Sequence, residues 1–257
     1  MEKLKTPLIH YVTRGQGTPL MLVHGFPLNH TIWNEAAALL EDGAQVILPD
    51  LPGHGQSPVV EPVSMESMAD GLAAILDALG IQKVVLAGQS MGGYVCLAFA
   101  RRHPQRLAGL GLVCTQAAAD SPEKRQARLA QAEQTLADGS QRVAESMSTV
   151  LTNRPEMAAE LRRLMSTTPS AGMAAAMRAM AERAEMSVFL PQISVPALVI
   201  AGLADAIIPV ERAREMAASL SDAQLVEMEG VGHSPMMEAP QATAEALLGL
   251  LKRVQGA

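Results

Sequence analysis

The chain is poor in cysteine, poor in aromatic residues and without any long apolar run. Its 257 residues include 2 cysteines, 1 tryptophan, 2 tyrosines and 3 phenylalanines. Cys96 and Cys114 fall in apolar segments of helix and strand character. Buried free thiols are expected there rather than a disulfide, which fits a reducing, cytoplasmic setting. No stretch approaches the roughly 20 apolar residues of a membrane span, and Met1–Pro7 lacks the apolar core of a secretion signal. Basic residues are in the minority, 20 Lys and Arg against 26 Asp and Glu, for a net charge of −6. That balance argues against nucleic acid and anionic membrane surfaces as partners. No His, Cys and Asp residues have the sequence spacing of a metal site, so a reaction without metal or organic cofactor is expected.

What the chain does have is apolar bulk. At 49 % hydrophobic, it is long enough for one large domain with a well-buried core. Short apolar runs near 8–13, 19–24, 45–49, 83–88, 107–114, 197–202 and 223–228 read as strands. Amphipathic segments near 31–41, 64–79, 91–102, 210–219 and 240–253 read as helices. Strands that are apolar throughout, separated by helices, predict an α/β fold with a mostly parallel central sheet covered on both faces.

That rhythm breaks between about 116 and 189, where no strand-like run occurs. Four helices are predicted instead, over 122–136, 140–151, 155–165 and 170–184, with breaks at Asp138-Gly139, Thr152–Pro155 and Thr167–Pro169. The expected organisation is a core of residues 1–115 and 190–257 with a helical cap, residues 116–189, inserted over the site. Met173, Met177 and Met180 share one helical face. They either join cap to core or, with Met147, wall an adaptable acyl pocket. Of Arg154, Arg162, Arg163, Arg178 and Arg183, one pointing inward would instead clamp a substrate carboxylate.

The sharpest local signal is Gly88-Gln89-Ser90-Met91-Gly92, a G-x-S-x-G pattern where an apolar strand runs into a helix. A turn this tight forces its central residue into strained dihedrals and leaves no room for side chains two positions away. It lifts the Ser90 hydroxyl to a helix N-terminus, where developing negative charge is favoured. A serine needs a base and an orienting acid to act as a nucleophile. His233, in a glycine-rich loop after the apolar run 223–228, is the candidate base. His24 and His54 read as scaffold and loop-shaping residues, His103 as a helix-end cation, and His10 and His30 as solvent-facing. Asp205, after the strand at 197–202, is the candidate acid. Asp120 is its competitor but reads as the N-cap of the helix near Pro122, and Asp50 reads as a loop anchor. In His24-Gly25-Phe26-Pro27 the Phe26 amide is placed to form, with the Met91 amide, an oxyanion hole, and Pro27 stiffens that loop.

These segments, with Asp50-Leu51-Pro52-Gly53-His54-Gly55-Gln56-Ser57, resemble the α/β-hydrolase superfamily from about residue 8 to residue 253. They are most similar to its esterase, enol-lactone hydrolase and cofactor-free haloperoxidase or perhydrolase branch. The order Ser90, Asp205, His233 is that family's order. Dehalogenases and epoxide hydrolases of this superfamily carry an aspartate where this chain has Ser90. The resemblance implies a catalytic triad acting on carboxylic esters of small to medium apolar acyl chains. Lactone hydrolysis and a peroxide-dependent side activity are the alternatives. From another class, a ligand receptor retaining a slow triad would use the methionine-rich cap as its docking surface.

Overall fold

Strands β4 (Val84–Gln89) and β6 (Ala197–Gly202) are buried at every residue, as strands covered on both faces must be. The computed structural model describes residues 8–256 and sets both in a seven-stranded sheet. The reading of Met1–Pro7 lies outside the described residues. Across the sheet the order is β1 (Tyr11–Arg14), β3 (Ala44–Pro49), β2 (Thr18–Val23), β4, β5 (Leu107–Val113), β6 and β7 (Ala223–Met228). Among the described residues only the β1–β3 pair is antiparallel. The chain adds β3 on one side of β2 and β4 on the other, so the order reverses between β2 and β4. Ligands of open α/β sheets bind beyond the carboxyl ends of the strands at such a reversal.

Period-two alternation divides the interior into two layers. Met21 and Val23 enter one core with α2 (Met65–Ala78), α3 (Met91–Arg102) and α8 (Val210–Ser219). Leu20 and Leu22 enter the other with α1 (Asn34–Ala38), α9 (Pro235–Glu238) and α10 (Pro240–Gln255). On the surface, Arg102 is bidentate to Asp70 at 2.8 and 2.6 Å, which ties α3 to α2.

Four helices stand between β5 and β6: α4 (Pro122–Asp138), α5 (Gln141–Ser148), α6 (Ala158–Met165) and α7 (Ser170–Ala181). Gly53 and Gly172 let a core loop and the first turn of α7 approach so closely that a Cβ on either would strike the other's backbone. Some boundaries differ from expectation. The helix expected over 31–41 is a 3-10 turn, His30–Trp33, followed by only five α-helical residues. Asn29 caps that turn by accepting from the Thr31 amide at 3.0 Å. The segment at 155–165 likewise opens with a 3-10 turn, Pro155–Met157, and α7 stops at Ala181, before Arg183 turns inward. Asp120 is not the N-cap of α4. Ser121 is, accepting from the Lys124 amide at 3.3 Å, while Asp120 pairs with Arg128 at 2.8 Å.

Candidate active site

Ser90 joins β4 to α3 with φ 52° and ψ −114°. Among the described residues it and Cys114 are the non-glycine residues with positive φ. Such a conformation costs on the order of 1–3 kcal/mol and persists only where its surroundings enforce it. Here they do. The Ser90 amide donates to Val113 O at 2.9 Å, and the Thr115 hydroxyl donates to Ser90 O at 2.7 Å. A Cβ on Gly92 would lie 2.5 Å from Val23 O and 2.7 Å from His24 O, and one on Gly88 would strike the backbone of Gly92. Both glycines of the motif are therefore sterically required.

His233 and Asp205 meet at the neighbouring strand ends. His233 Nδ1 lies 2.7 Å from Asp205 Oδ2, with side chains only 1 % and 2 % exposed. The other carboxylate oxygen, Oδ1, accepts from the amides of Ile207 (2.8 Å) and Ile208 (3.0 Å). A carboxylate that only accepts fixes Nδ1 as the protonated nitrogen and leaves the lone pair on Nε2. Cys114 Sγ lies within 4.8 Å of the same pair and donates to Gly232 O at 3.7 Å. Burial pushes its thiol well above the usual range, so it is a hydrogen-bond donor there rather than a thiolate ligand.

Two supports of His233 have no signal in the local sequence. Glu238, 2 % exposed, accepts from the amides on both sides of the histidine, Gly232 at 2.9 Å and Ser234 at 3.1 Å. Gln89 donates from Nε2 to His233 O at 2.9 Å, and its Oε1 packs where a Cβ on Gly25 would be. One side chain thus spans the loop after β2 and the histidine loop. Glu238→Gln would turn an NH2 toward one of the two amides and leave buried donors unpaired, at about 1–3 kcal/mol. We expect a melting temperature lowered by a few degrees. Thermal melting of the variant checks this, and a wild-type value would remove Glu238 from the account.

Neither the Phe26 amide, past the end of β2, nor the Met91 amide, at the start of α3, donates to another backbone group among the described residues. The helical insertion closes on the loops that carry the site. Thr168 Oγ1 donates to Pro27 O at 2.9 Å, Asn153 Nδ2 to Gly230 O at 2.8 Å, and Ser234 Oγ to Leu151 O at 2.7 Å. Met173 and Met177 are buried in the core that also holds Phe26 and Met91, and Met147 packs against both cores. The Thr135 hydroxyl of α4 lies 3.9 Å from Met177 Sδ. Met177 thus touches α4 from α7. Arg183 does point inward, and its two terminal nitrogens are engaged. It donates to Met180 O and Ala118 O, both at 2.8 Å, lies 2.9 Å from Asp120 Oδ1 and sits 4.3 Å over the Tyr94 ring. Its buried Nε has no hydrogen-bond partner among the described residues.

Of the remaining histidines, His24, His54 and His103 sit where the sequence suggests and two do not. His10 and His30 are not simply solvent-facing: each binds Asp50 through Nδ1, at 3.2 and 2.8 Å. His103 Nε2 pairs with Asp70 at 2.8 Å. His24 is buried, accepting at Nε2 from the Leu51 amide (2.9 Å) and donating from Nδ1 to Gly25 O (2.9 Å). His54 is buried beside it, with ring centroids 5.2 Å apart. Desolvation, reinforced by His54, lowers His24 to about 3, and desolvation lowers His54 to about 4.

Both shifts are downward, so the folded protein refuses protons that the unfolded chain accepts below about pH 6.5. Their stability is fully present above that pH and is lost as pH falls through the window toward 4 for His54 and 3 for His24. The limiting slope for two such groups is about 3 kcal/mol per pH unit. Urea midpoints are expected to fall steeply from about pH 6 to about pH 4.5, and a flat midpoint over that range would contradict neutral burial.

The chain as a whole has relatives among known proteins. A family described as alpha/beta hydrolase fold matches residues 18–240. A thermophilic esterase from Thermogutta terrifontis, in a malate-bound structure, superposes with TM-score 0.93 at 41 % identity, covering 96 % of this chain and 93 % of that one. The enol-lactonase from Burkholderia xenovorans LB400 superposes with TM-score 0.87 at 26 % identity, covering 95 % and 96 %. The dihydrolipoyllysine-residue acetyltransferase component of an acetoin cleaving system from Pseudomonas putida is 32 % identical over 252 residues, which is 92 % of this chain but 64 % of that protein. Among the described residues no helix is long and apolar enough to cross a membrane.

Proposed function

We propose that this chain, which belongs to the alpha/beta hydrolase fold family, cleaves small to medium apolar carboxylic esters through Ser90, His233 and Asp205. The reading rests on one observation. A serine held at φ 52° stands at the sheet's order reversal, and at the same carboxyl edge, past β6 and β7, an imidazole binds a carboxylate through Nδ1 at 2.7 Å.

In the reaction, Ser90 Oγ bonds to the ester carbonyl carbon as its proton passes to His233 Nε2. Asp205 keeps the imidazole in the correct tautomer and stabilises its positive form. The Phe26 and Met91 amides hold the tetrahedral oxyanion, each for about 2.7–4 kcal/mol of barrier. The C–O bond then breaks, and His233 returns the proton to the departing alcohol. Water, deprotonated by the same nitrogen, attacks the acyl-enzyme and regenerates Ser90. Pro27, Met147, Met173 and Met177 are the wall residues in this reading. The helical insertion, residues 116–189, acts as a cap through its contacts with the Pro27 and His233 loops.

A lactone is an ester whose alcohol stays attached, so the same atoms open it. The structural likeness to the enol-lactonase favours this as a second reading. A series of p-nitrophenyl esters of rising chain length, run beside several lactones, tests both. Turnover is expected to be highest on short or medium acyl chains, and failure to cleave any carboxylic ester or lactone would end the proposal.

A further inference from the structure

Away from Ser90, three metal-binding side chains converge from separate segments: His10 ahead of β1, His30 at the start of the 3-10 turn, and Asp50 just past β3. Their ligand atoms all lie within 4.8 Å of one another. We propose that they form a binding site for one divalent transition ion such as Zn2+, Co2+ or Ni2+, held by both Nδ1 atoms and the Asp50 carboxylate, with water in the open positions.

Distances favour this. With metal–ligand bonds of about 2.1 Å, adjacent corners of an octahedron are about 3.0 Å apart. The two Nδ1–oxygen separations, 2.8 Å from His30 to Oδ1 and 3.2 Å from His10 to Oδ2, bracket that edge for a carboxylate that binds through both oxygens. The carboxylate is also oriented independently of the imidazoles, since the His30 amide donates to Oδ1 at 2.9 Å and the Gln56 amide to Oδ2 at 3.0 Å. Outer hydrogen bonds of this kind hold a ligating carboxylate in place.

Access and ligand chemistry agree. The Asp50 side chain is fully buried, His30 is 12 % exposed and His10 is 32 % exposed, so an ion enters past His10 to an anchored carboxylate. Two imidazoles and one carboxylate select Zn2+, Co2+, Ni2+ or Cu2+ over Mg2+ and Ca2+. On binding, each imidazole moves its proton from Nδ1 to Nε2 and turns its freed lone pair to the shared point. The bland alternative is a hydrogen-bonded bridge that only fastens the β1 edge. The other group of potential ligands, Cys114, Asp205 and His233, belongs to the candidate active site.

Untagged protein titrated with Co2+ tests the site without reference to hydrolysis. One ion per chain should give visible ligand-field bands, and Zn2+ or Ni2+ should raise the melting temperature with concentration while Mg2+ does not. The His10 backbone is held by Asp50 N donating to His10 O at 2.8 Å and by His10 N donating to Ser57 Oγ at 2.8 Å. His10→Ala should therefore fold normally and bind at least about tenfold more weakly. His30→Gln should do the same, and His103→Ala should bind as the wild type does. Absence of stoichiometric binding to the wild-type protein overturns the proposal. So does binding that survives both His10→Ala and His30→Gln.

Discussion

Ser90→Ala is expected to lower kcat for p-nitrophenyl butyrate by about 10⁴-fold or more, since loss of the nucleophile leaves only binding and oxyanion stabilisation. The fold should survive. The hydroxyl oxygen makes none of the hydrogen bonds that enforce the φ of 52°. These run through the Ser90 amide to Val113 and through its carbonyl to Thr115. Alanine meets the same backbone strain as serine, so the melting temperature should stay within a few degrees. Steady-state kinetics and thermal melting on one preparation decide the matter. Near-wild-type activity would mean that another group attacks the ester.

Asp205→Asn should have nearly as large an effect for a different reason. Oδ1 accepts from two amides, so an asparagine at 205 keeps its carbonyl oxygen there and turns its NH2 toward His233 Nδ1. Nδ1 must then accept, and the proton moves to Nε2, the nitrogen that has to take the serine proton. The imidazole is present but in the wrong tautomer, a fault that costs about 10⁴-fold in kcat in serine proteases. Activity should partly recover at high pH as the misplaced proton becomes easier to remove. An unchanged kcat and pH profile would show that Asp205 does not orient the base.

Much of this was legible in the residues because its causes are local. Strands buried on both faces must be apolar throughout, so β4, β5 and β6 announce themselves. The nucleophile turn demands glycine at positions 88 and 92 for steric reasons that a five-residue window contains. Helix α3 was readable to the residue because Gly88–Gly92 sets its start and His103-Pro104 its end. The cap of α4 was misread as Asp120, although Pro122 at the first helical position puts it at the preceding residue, Ser121. What stayed hidden is convergence over distance. Gln89 reaches the His233 carbonyl across 144 residues, whereas Glu238, only four residues beyond Ser234, was missed because α9 is too short to show a helical period. His10 and His30 look solvent-facing because Asp50 reaches them from 40 and 20 residues away. The Met173–Met177–Met180 stripe has one period and two uses, and sequence cannot tell helix packing from a pocket wall.

The central claim, that Ser90 is the nucleophile activated by His233, is tested most directly with a fluorophosphonate and peptide mass spectrometry. The account predicts one phosphonyl group per chain, on the peptide holding Ser90, with labelling in step with loss of esterase activity. It also predicts no label in Ser90→Ala and labelling slowed by orders of magnitude in His233→Ala. Inactivation with the label on another residue, or esterase turnover that persists once Ser90 is fully labelled, would contradict it.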